Sequence, residues 1–499
     1  MSIHIAAIDL GASSGRVILA RYNKSSGGLS MEEIHRFTNC MIKRNGHDCW
    51  DLEAIYSNLL QGLNKIDSLG IKLDSIGIDS WGVDFVLLDK EGQVLGDTVA
   101  YRDTRTDGVP EQFMESMPKL DIYSRTGIQF LKFNSIYQVK AILNENPTWL
   151  PKVDKLLFIP DYLHYRLTGN YSCEYTNAST SQMVNARTRD WDAEILAQLG
   201  PVRHWLLPLT EPGSRIGEWR SPSGQLVPVI LPATHDTGSA IVATPLQHGR
   251  GAYISSGTWS LVGVEASEPV TDAAALAANL TNEGGVEGSY RILKNVMGLW
   301  LMQGIRLTYP QLSFAELVAR AEQVSPFRFL IHPNDERFLN PEDMCAAIRD
   351  FCRETGQGVP VSPGELTRCV LDSLACYYRM VLGELETVTG LPMDTLHIVG
   401  GGSQNHLLNR LCADICQRTV VTGPIEASAL GNIAYQLKGL GILPDLGAVR
   451  SLVRRNISLE RIEPHWLPDL ELHWRRFCGL CAPISSQLVS TEEVYESEY

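Results

Sequence analysis

Apolar positions fall into two rhythms along this chain: short dense runs, and longer stretches spaced three to four residues apart. The first run holds Ile3, Ile5, Ala7 and Ile8. It breaks at Asp9-Leu10-Gly11-Ala12-Ser13-Ser14-Gly15 and resumes at Arg16-Val17-Ile18-Leu19-Ala20. Two strands around a tight turn are predicted over residues 3–22, and the small turn residues let backbone approach a neighbour closely. Leu52, Ile55, Leu59, Leu63 and Ile66 keep helical spacing and predict a helix over 51–66. A strand at Ser75–Asp79, a turn at Ser80-Trp81-Gly82 and a second strand at Val83–Leu88 follow as a hairpin, closed by Lys90-Glu91-Gly92.

Helices and short loops mix over residues 100–200, and Pro and Gly thicken between Leu207 and Pro232 as in a connector. Strand Val227–Leu231 then runs into Ala233-Thr234-His235-Asp236-Thr237-Gly238-Ser239-Ala240, read as a strand end feeding a helix start. A second strand–turn–strand follows at 252–264, through Ser255-Ser256-Gly257-Thr258. It echoes the first in shape, not in letters. A Gly-rich turn, Gly400-Gly401-Gly402-Ser403, links strand Thr395–Val399 to a helix with Leu407, Leu408 and Leu411 on one face. The acidic tail Glu492–Tyr499 reads as frayed. One hairpin type opens each half, which predicts a duplicated α/β fold holding a ligand between the halves.

Length and charge narrow the functional classes. With 499 residues, two or more large domains are expected. A formal charge of −14 argues against a general nucleic-acid binder, whose affinity comes from basic patches. It leaves room for a nucleotide, because a few backbone N–H groups hold a phosphate whatever the net charge. No basic leader precedes the first apolar run, and no stretch of about 18 apolar residues occurs, so a cytoplasmic chain without a membrane span is expected. Eleven scattered cysteines fit reduced thiols, and the lone Cys478/Cys481 pair lacks the second pair of a zinc site.

Five places carry candidate chemistry, each beside a plainer reading. Asp9 to Arg16 can cradle a triphosphate, with Asp9 near a magnesium ion and Arg16 facing phosphate, or can be a tight hairpin with a surface arginine. Ser255–Thr258 can clasp terminal phosphates, or be a polar turn. Three consecutive glycines cost roughly 0.5–1 kcal/mol each against alanine; passage of a nucleotide or tight strand–helix packing explains them. The small residues of 424–431 can wall an adenine. Asp236, at a helix start, reads as an N-cap or as a general base kept ionised by the helix dipole. Gly82 lets backbone approach a sugar and Trp81 can stack on it, or the segment is a hairpin turn with a core tryptophan. Asn295 is a lone polar residue in an apolar stretch, with Gln303 read as two turns further along the same helix. For these two, spacing does not choose between sugar contact and backbone satisfaction.

In this order the motifs resemble the FGGY carbohydrate kinases over nearly the whole chain. The resemblance is carried by AIDLGASSGRVILARY from Ala7, IGIDSWGVDFVLLD from Ile76, AYRDTRT from Ala100, FIPDYLHYRLTG from Phe158 and EYTNAST from Glu174. THDTGSA from Thr234, AYISSGTWSL from Ala252, LAANLTNEGG from Leu276, LKNVMGLWL from Leu293 and LHIVGGGSQNHLLNRLCAD from Leu396 extend it. The Phe-Gly-Gly-Tyr string itself is absent.

The resemblance implies an α/β fold of two actin-like (hexokinase/ribonuclease H-like) domains with a cleft between them. A sugar-binding domain is expected at 1–245, an ATP-binding domain at 246–440 and a helical segment with the tail at 441–499. It implies ATP contacts at Ala12, Ser13, Ser14, Gly15, Arg16, Thr258, Gln303 and Gly401. Sugar contacts are implied at Gly82, His235, Asp236, Thr237 and Asn295, with Asp236 the catalytic base and Asp9 ordering Mg2+. The implied reaction is ATP-dependent phosphorylation of a ketose, L-rhamnulose on O1, in L-rhamnose catabolism. L-fuculose or D-xylulose are the alternatives within the class, and an actin-like ATPase without a sugar is the alternative outside it. The expected partners are the ketose and MgATP, without nucleic acid or membrane, in a monomer or weak homodimer. Relatives of this kind can carry a disulfide at Cys412 and Cys416; an i, i+4 helical pair and a reducing cytosol both oppose it, so reduced thiols are expected.

Overall fold

In the computed structural model, which describes residues 2–246 and 250–482, the apolar runs of the N-terminal region become a six-stranded sheet. Its order is Arg215–Arg220, Leu226–Ile230, Ser75–Ser80, Ser2–Leu10, Ser14–Asn23, Leu29–Thr38. Ser2–Leu10 pairs antiparallel with Ser14–Asn23 and parallel with Ser75–Ser80, which runs parallel to Leu226–Ile230. Alternation splits the first strand between two cores. Ala6, Ile8 and Leu10 join Leu59 and Leu63 of helix Leu52–Ser68 on one face. Ile5 and Ala7 join Ile433, Ala434 and Leu437 of helix Ala427–Gly439 on the other. Every residue of Ser75–Ser80 is buried, as expected of a parallel strand covered on both faces.

By contacts the chain groups into two units. The first holds the described residues up to Leu246 together with Gly263–Lys294 and Glu426–Ser458. The second holds Arg250–Val262, Asn295–Ile425 and the described residues from Leu459 on. These limits differ from the sequence boundaries at 245 and 440, because helix Ala427–Gly439 lies on the first sheet. There the Gln436 Nε2 donates to the Ala6 carbonyl at 3.1 Å, and its Oε1 accepts from Ser75 Oγ at 2.7 Å.

The second unit repeats the pairing scheme. Ala252–Ser256 runs parallel to Thr395–Val399, which runs parallel to Thr419–Thr422, with Glu460–Ile462 antiparallel at the edge. This is the internal echo predicted from the two hairpins. The acidic tail Glu492–Tyr499 lies outside the described residues. No helix among the described residues is long and apolar enough to cross a membrane.

Two sequence expectations change. Phe85–Leu88 pairs with Lys155–Phe158 and leaves the main sheet, so residues 75–88 are not a hairpin. The chain turns away at Val83, whose φ of +66° is rare for a β-branched residue. Partners hold it there: Val83 N–H donates to Thr180 Oγ1 at 3.1 Å, and its carbonyl accepts from Ser135 Oγ at 2.6 Å. Asn295 and Gln303 also part company. Asn295 lies within strand Tyr290–Met297, and Gln303 sits in helix Trp300–Thr308.

Candidate functional site

The parallel pairing of the first unit sets Asp9 directly beside Asp79, at the ends of adjacent strands. Asp9 is ion-paired with Arg16, and Arg16 also with Glu426, both at short range. Asp79 is fully buried. Its Oδ2 accepts from Asn432 Nδ2 at 2.6 Å, while its Oδ1 has no hydrogen-bond donor. Burial, with the Asp9 carboxylate alongside, pushes the Asp79 pKa well above the usual carboxylate range. Asn432 is braced in turn, its Oδ1 accepting from Gln436 Nε2 at 2.6 Å. A column of buried amides on helix Ala427–Gly439 therefore supports the acidic strand ends.

The small residues of 424–431, expected to wall an adenine, contain the packing point of that same helix. A Cβ on Gly431 would lie 1.8 Å from the Ser239 carbonyl oxygen, so only glycine lets this helix reach helix Asp236–Ala243. Glycine in the hairpin turn serves packing too, since a Cβ on Gly15 would sit 2.2 Å from the Phe37 ring. Ala12, Ser13 and Ser14 form the turn itself, where Gly11 N–H donates to the Ser14 carbonyl at 2.9 Å.

Asp236 is the first residue of its helix, and the cap position belongs to His235, which makes no side-chain cap bond. The N-cap reading of Asp236 is thus replaced. Its Oδ1 accepts from Thr237 N–H at 2.6 Å, and 25% of the side chain remains open. Burial is the largest influence on its pKa and pushes it up. His235 pulls it down, the Asp9 charge pushes it up, and Thr237 N–H and Arg291 pull it down; the net direction is up. The helix dipole was expected to hold this carboxylate low, and desolvation outweighs it. A carboxylate of raised proton affinity is better suited to accept a proton near neutral pH.

Glu174 fixes the strand end before it. Its buried carboxylate accepts from Thr234 N–H at 2.9 Å, Thr234 Oγ1 at 2.7 Å, Thr176 N–H at 2.8 Å and Thr176 Oγ1 at 2.5 Å. Ser80 N–H donates to the Thr234 carbonyl at 2.8 Å, which brings the Gly82 turn alongside His235. A Cβ on Gly82 would lie 3.0 Å from Thr180 Oγ1. Trp81 is not a sugar platform. It is buried against Trp50 with ring centroids 4.4 Å apart, and its Nε1 donates to Asp84 Oδ2 at 3.0 Å.

His235 and Thr237 meet two residues that the sequence did not single out. Arg291 NH1 donates to Thr237 Oγ1 at 3.2 Å, and Arg291 NH2 lies 3.1 Å from Glu283 Oε2. Glu283 Oε2 lies 3.3 Å from His235 Nδ1. Burial works to raise Glu283, but the Arg291 charge and His235 outweigh it and hold the carboxylate below its ordinary range. Only the register of Thr281–Gly284 against Tyr290–Met297 makes Glu283 and Arg291 partners. A sequence without pairing information does not carry that signal.

In the second unit, Thr258 and Gln303 converge, with Gln303 Nε2 3.4 Å from Thr258 Oγ1. The Thr258 carbonyl accepts from Gly298 and Trp300 N–H at 3.2 and 3.1 Å. The three glycines divide their roles. Gly400 takes φ +83°, and a Cβ on Gly402 would lie 2.0 Å from Ser256 Oγ, so packing accounts for both. Above Gly401 a Cβ would meet nothing within 4 Å, so packing does not account for this one. The Asn295 carbonyl accepts from Asn334 Nδ2 at 3.0 Å. Cys412 and Cys416 are free buried thiols of helix His406–Cys416, and burial pushes Cys416 up to about 12.

Among the described residues no group of three or more His, Cys, Asp or Glu is arranged to hold a metal ion. That does not conflict with magnesium, which typically keeps its waters and takes one or two carboxylates plus substrate phosphates. Asp9, with 11% of its side chain accessible and the orphaned Asp79 oxygen behind it, fits that kind of site.

Comparison with known proteins shows the family of this chain. Residues 4–243 match the FGGY family of carbohydrate kinases, N-terminal domain, and residues 252–440 its C-terminal domain. The chain is 52% identical to the rhamnulokinase of Pectobacterium atrosepticum, over 96% of this chain and 97% of that one. It is 50% identical to the rhamnulokinase of Yersinia pestis, over 95% and 98%. Its fold is similar to a ligand-bound xylulose kinase from Lactobacillus acidophilus (TM-score 0.78, 15% identity, 99% of both chains). It is also similar to Plasmodium falciparum glycerol kinase with ADP (TM-score 0.73, 17% identity, 99% of both chains). These likenesses carry the two-domain actin-like α/β fold expected from the sequence.

Proposed function

We propose that this chain, which belongs to the FGGY family of carbohydrate kinases, transfers the γ-phosphoryl group of ATP to O1 of L-rhamnulose, giving L-rhamnulose 1-phosphate and ADP. The observation that carries the substrate is the near-full-length identity to rhamnulokinases from several species, at about half of all positions. The reaction would serve L-rhamnose catabolism in the cytoplasm, with the enzyme a monomer or weak homodimer.

Asp236 accepts the O1 proton as the sugar oxygen attacks phosphorus. Its raised proton affinity suits that task, and its open face leaves room for the hydroxyl. His235, Thr237 and Asn295 hold the remaining hydroxyls, and Gly82 gives the sugar close access to backbone. Ala12, Ser13, Ser14, Gly15 and Arg16 contact the phosphates, with Thr258, Gln303 and Gly401 also contacting ATP. Phosphoryl transfer has a loose transition state, so aligning O1 with the γ-phosphorus contributes more than base strength does. Mg2+, when bound, supplies positive charge against the phosphate oxygens. Asp9 is the residue that would hold it, through water.

A panel of ketoses with ATP, followed by NMR of the product, tests this reading. L-rhamnulose is expected to give the highest kcat/KM, with phosphate on O1. Faster turnover of L-fuculose or D-xylulose would move the assignment to that sugar. Full ATPase activity without sugar would move it to another class.

A further inference from the structure

Strand Phe85–Leu88 has two faces with different neighbours. Val86 and Leu88 belong to the core of the main sheet, while Phe85 and Leu87 line a cavity of about 370 Å³ within the first unit. That volume is at the lower end for small-molecule sites and equals the liquid volume of roughly a dozen waters. None of the residues assigned above to ATP or to the ketose lines it. Trp149 lines it too, seated by a position that only glycine fills. Gly96 takes φ +78°, and a Cβ there would stand 2.1 Å from Trp149 Cη2.

Three polar side chains of this cavity have unused hydrogen-bonding capacity. Arg105 NH2 donates to Gln138 Oε1 at 2.7 Å, and among the described residues Arg105 forms no ion pair. Its Nε and NH1 have no acceptor there, and neither atom is sealed from solvent. His47 is fixed by Asp103, whose Oδ1 lies 3.0 Å from His47 Nδ1, and its Nε2 is unpartnered among the described residues. The Asn146 side-chain amide is unpartnered in the same sense. Burial pushes the Arg105 pKa below its ordinary value, although Asp84, Asp103 and Glu145 push it up. A guanidinium in that state is desolvated more than it is compensated, which favours an anion beside it.

The lining also limits the charge of that anion. Asp97 and Glu145 line the cavity with a single guanidinium against them, and Asp97 Oδ2 already accepts from Asn45 Nδ2 at 2.6 Å. A dianion would meet net repulsion, whereas one carboxylate matches one guanidinium fork. We propose that this cavity is a second binding site, for a small organic monocarboxylate: the carboxylate pairs with Arg105, and an apolar body lies against Trp149 and Phe85. The site is independent of which sugar the enzyme phosphorylates.

4-Fluorobenzoate is a probe of that chemistry, and its 19F signal reports binding to the full-length protein. Wild type should bind it with a Kd of about 1 mM or below. Benzoate should displace it. Benzamide, the neutral analogue, should bind at least about tenfold more weakly, the loss expected for a hydrogen bond between charged groups. Inorganic phosphate, saturating L-rhamnulose and saturating MgADP should each leave the probe bound. Arg105→Gln should weaken the probe at least about tenfold. Leu95→Trp fills the cavity, which Leu95 also lines, and leaves the Arg105–Gln138 bond in place. It should abolish probe binding with turnover retained, and it carries the test if Arg105→Gln fails to fold. Absence of binding to folded wild type, or benzamide binding as tightly as benzoate, would overturn the proposal. So would displacement by phosphate, L-rhamnulose or MgADP, or unchanged binding to either folded variant.

Discussion

Gly431→Ala separates local propensity from the packing that supports the site. On an ordinary helix the change stabilises by about 1 kcal/mol, because alanine is the better helix former. Here the new Cβ would stand 1.8 Å from the Ser239 carbonyl oxygen and 2.6 Å from its carbon. Both are backbone atoms, so no rotamer change relieves them. Non-bonded contacts settle near 3.5 Å, so helix Ala427–Gly439 and helix Asp236–Ala243 must part by roughly 1.5 Å. Overpacking of this kind costs about 1–3 kcal/mol, which offsets or exceeds the propensity gain. The larger effect falls on chemistry. Ser239 is one helical turn from Asp236, and a 1 Å misplacement can cost about 100-fold in rate. We expect Gly431→Ala to fold, to keep its affinity for ATP, to show no rise in Tm and to lose about 100-fold in kcat in an assay coupled to ADP release. Wild-type turnover together with a raised Tm would refute the packing argument.

Two further outcomes follow from buried polar groups. His164 is fully buried, its Nε2 accepts from Ile78 N–H at 3.1 Å, and burial holds its pKa down to about 3. Its folded value lies below the ordinary 6.5, so the unfolded state binds the extra proton; the stabilisation is complete above pH 6.5 and is lost as pH falls toward 3. Urea unfolding of the wild type should lose about 2 kcal/mol from this group between pH 7 and 5, and His164→Gln should flatten that part of the slope; equal slopes would refute it. Glu174→Gln places a donor among the N–H and hydroxyl donors of Thr176 and Thr234, and should destabilise by about 2 kcal/mol with a lower kcat; unchanged unfolding and turnover would count against Glu174 as the anchor of the Asp236 strand end.

The parts of the fold visible in the sequence are those set by local pattern. The hairpin at residues 3–22, helix Leu52–Ser68 and strand Thr395–Val399 follow from apolar runs and helical spacing. The break at Val83 is invisible, because β-branched residues favour strands and only tertiary partners hold φ at +66° there. Trp81 suggested a sugar platform, yet its indole N–H finds Asp84, which also accepts from Trp50 at 2.6 Å. In the site, Asp9, Gly82 and Asp236 were legible as punctuation at strand ends. Asp79 and Asn432 were not, because they lie far apart in the chain and meet through helix docking; nor were Glu283 and Arg291, whose opposition depends on strand register.

The central claim is that Asp236 takes the proton from O1 of the ketose. The direct measurement is phosphate transfer to L-rhamnulose by wild type and Asp236→Asn side by side, with ATP binding measured on both. Wild type should yield L-rhamnulose 1-phosphate. Asp236→Asn should bind ATP as tightly and form product at least about 100 times more slowly, as expected when a general base is removed. Product formed by Asp236→Asn at the wild-type rate would contradict the account.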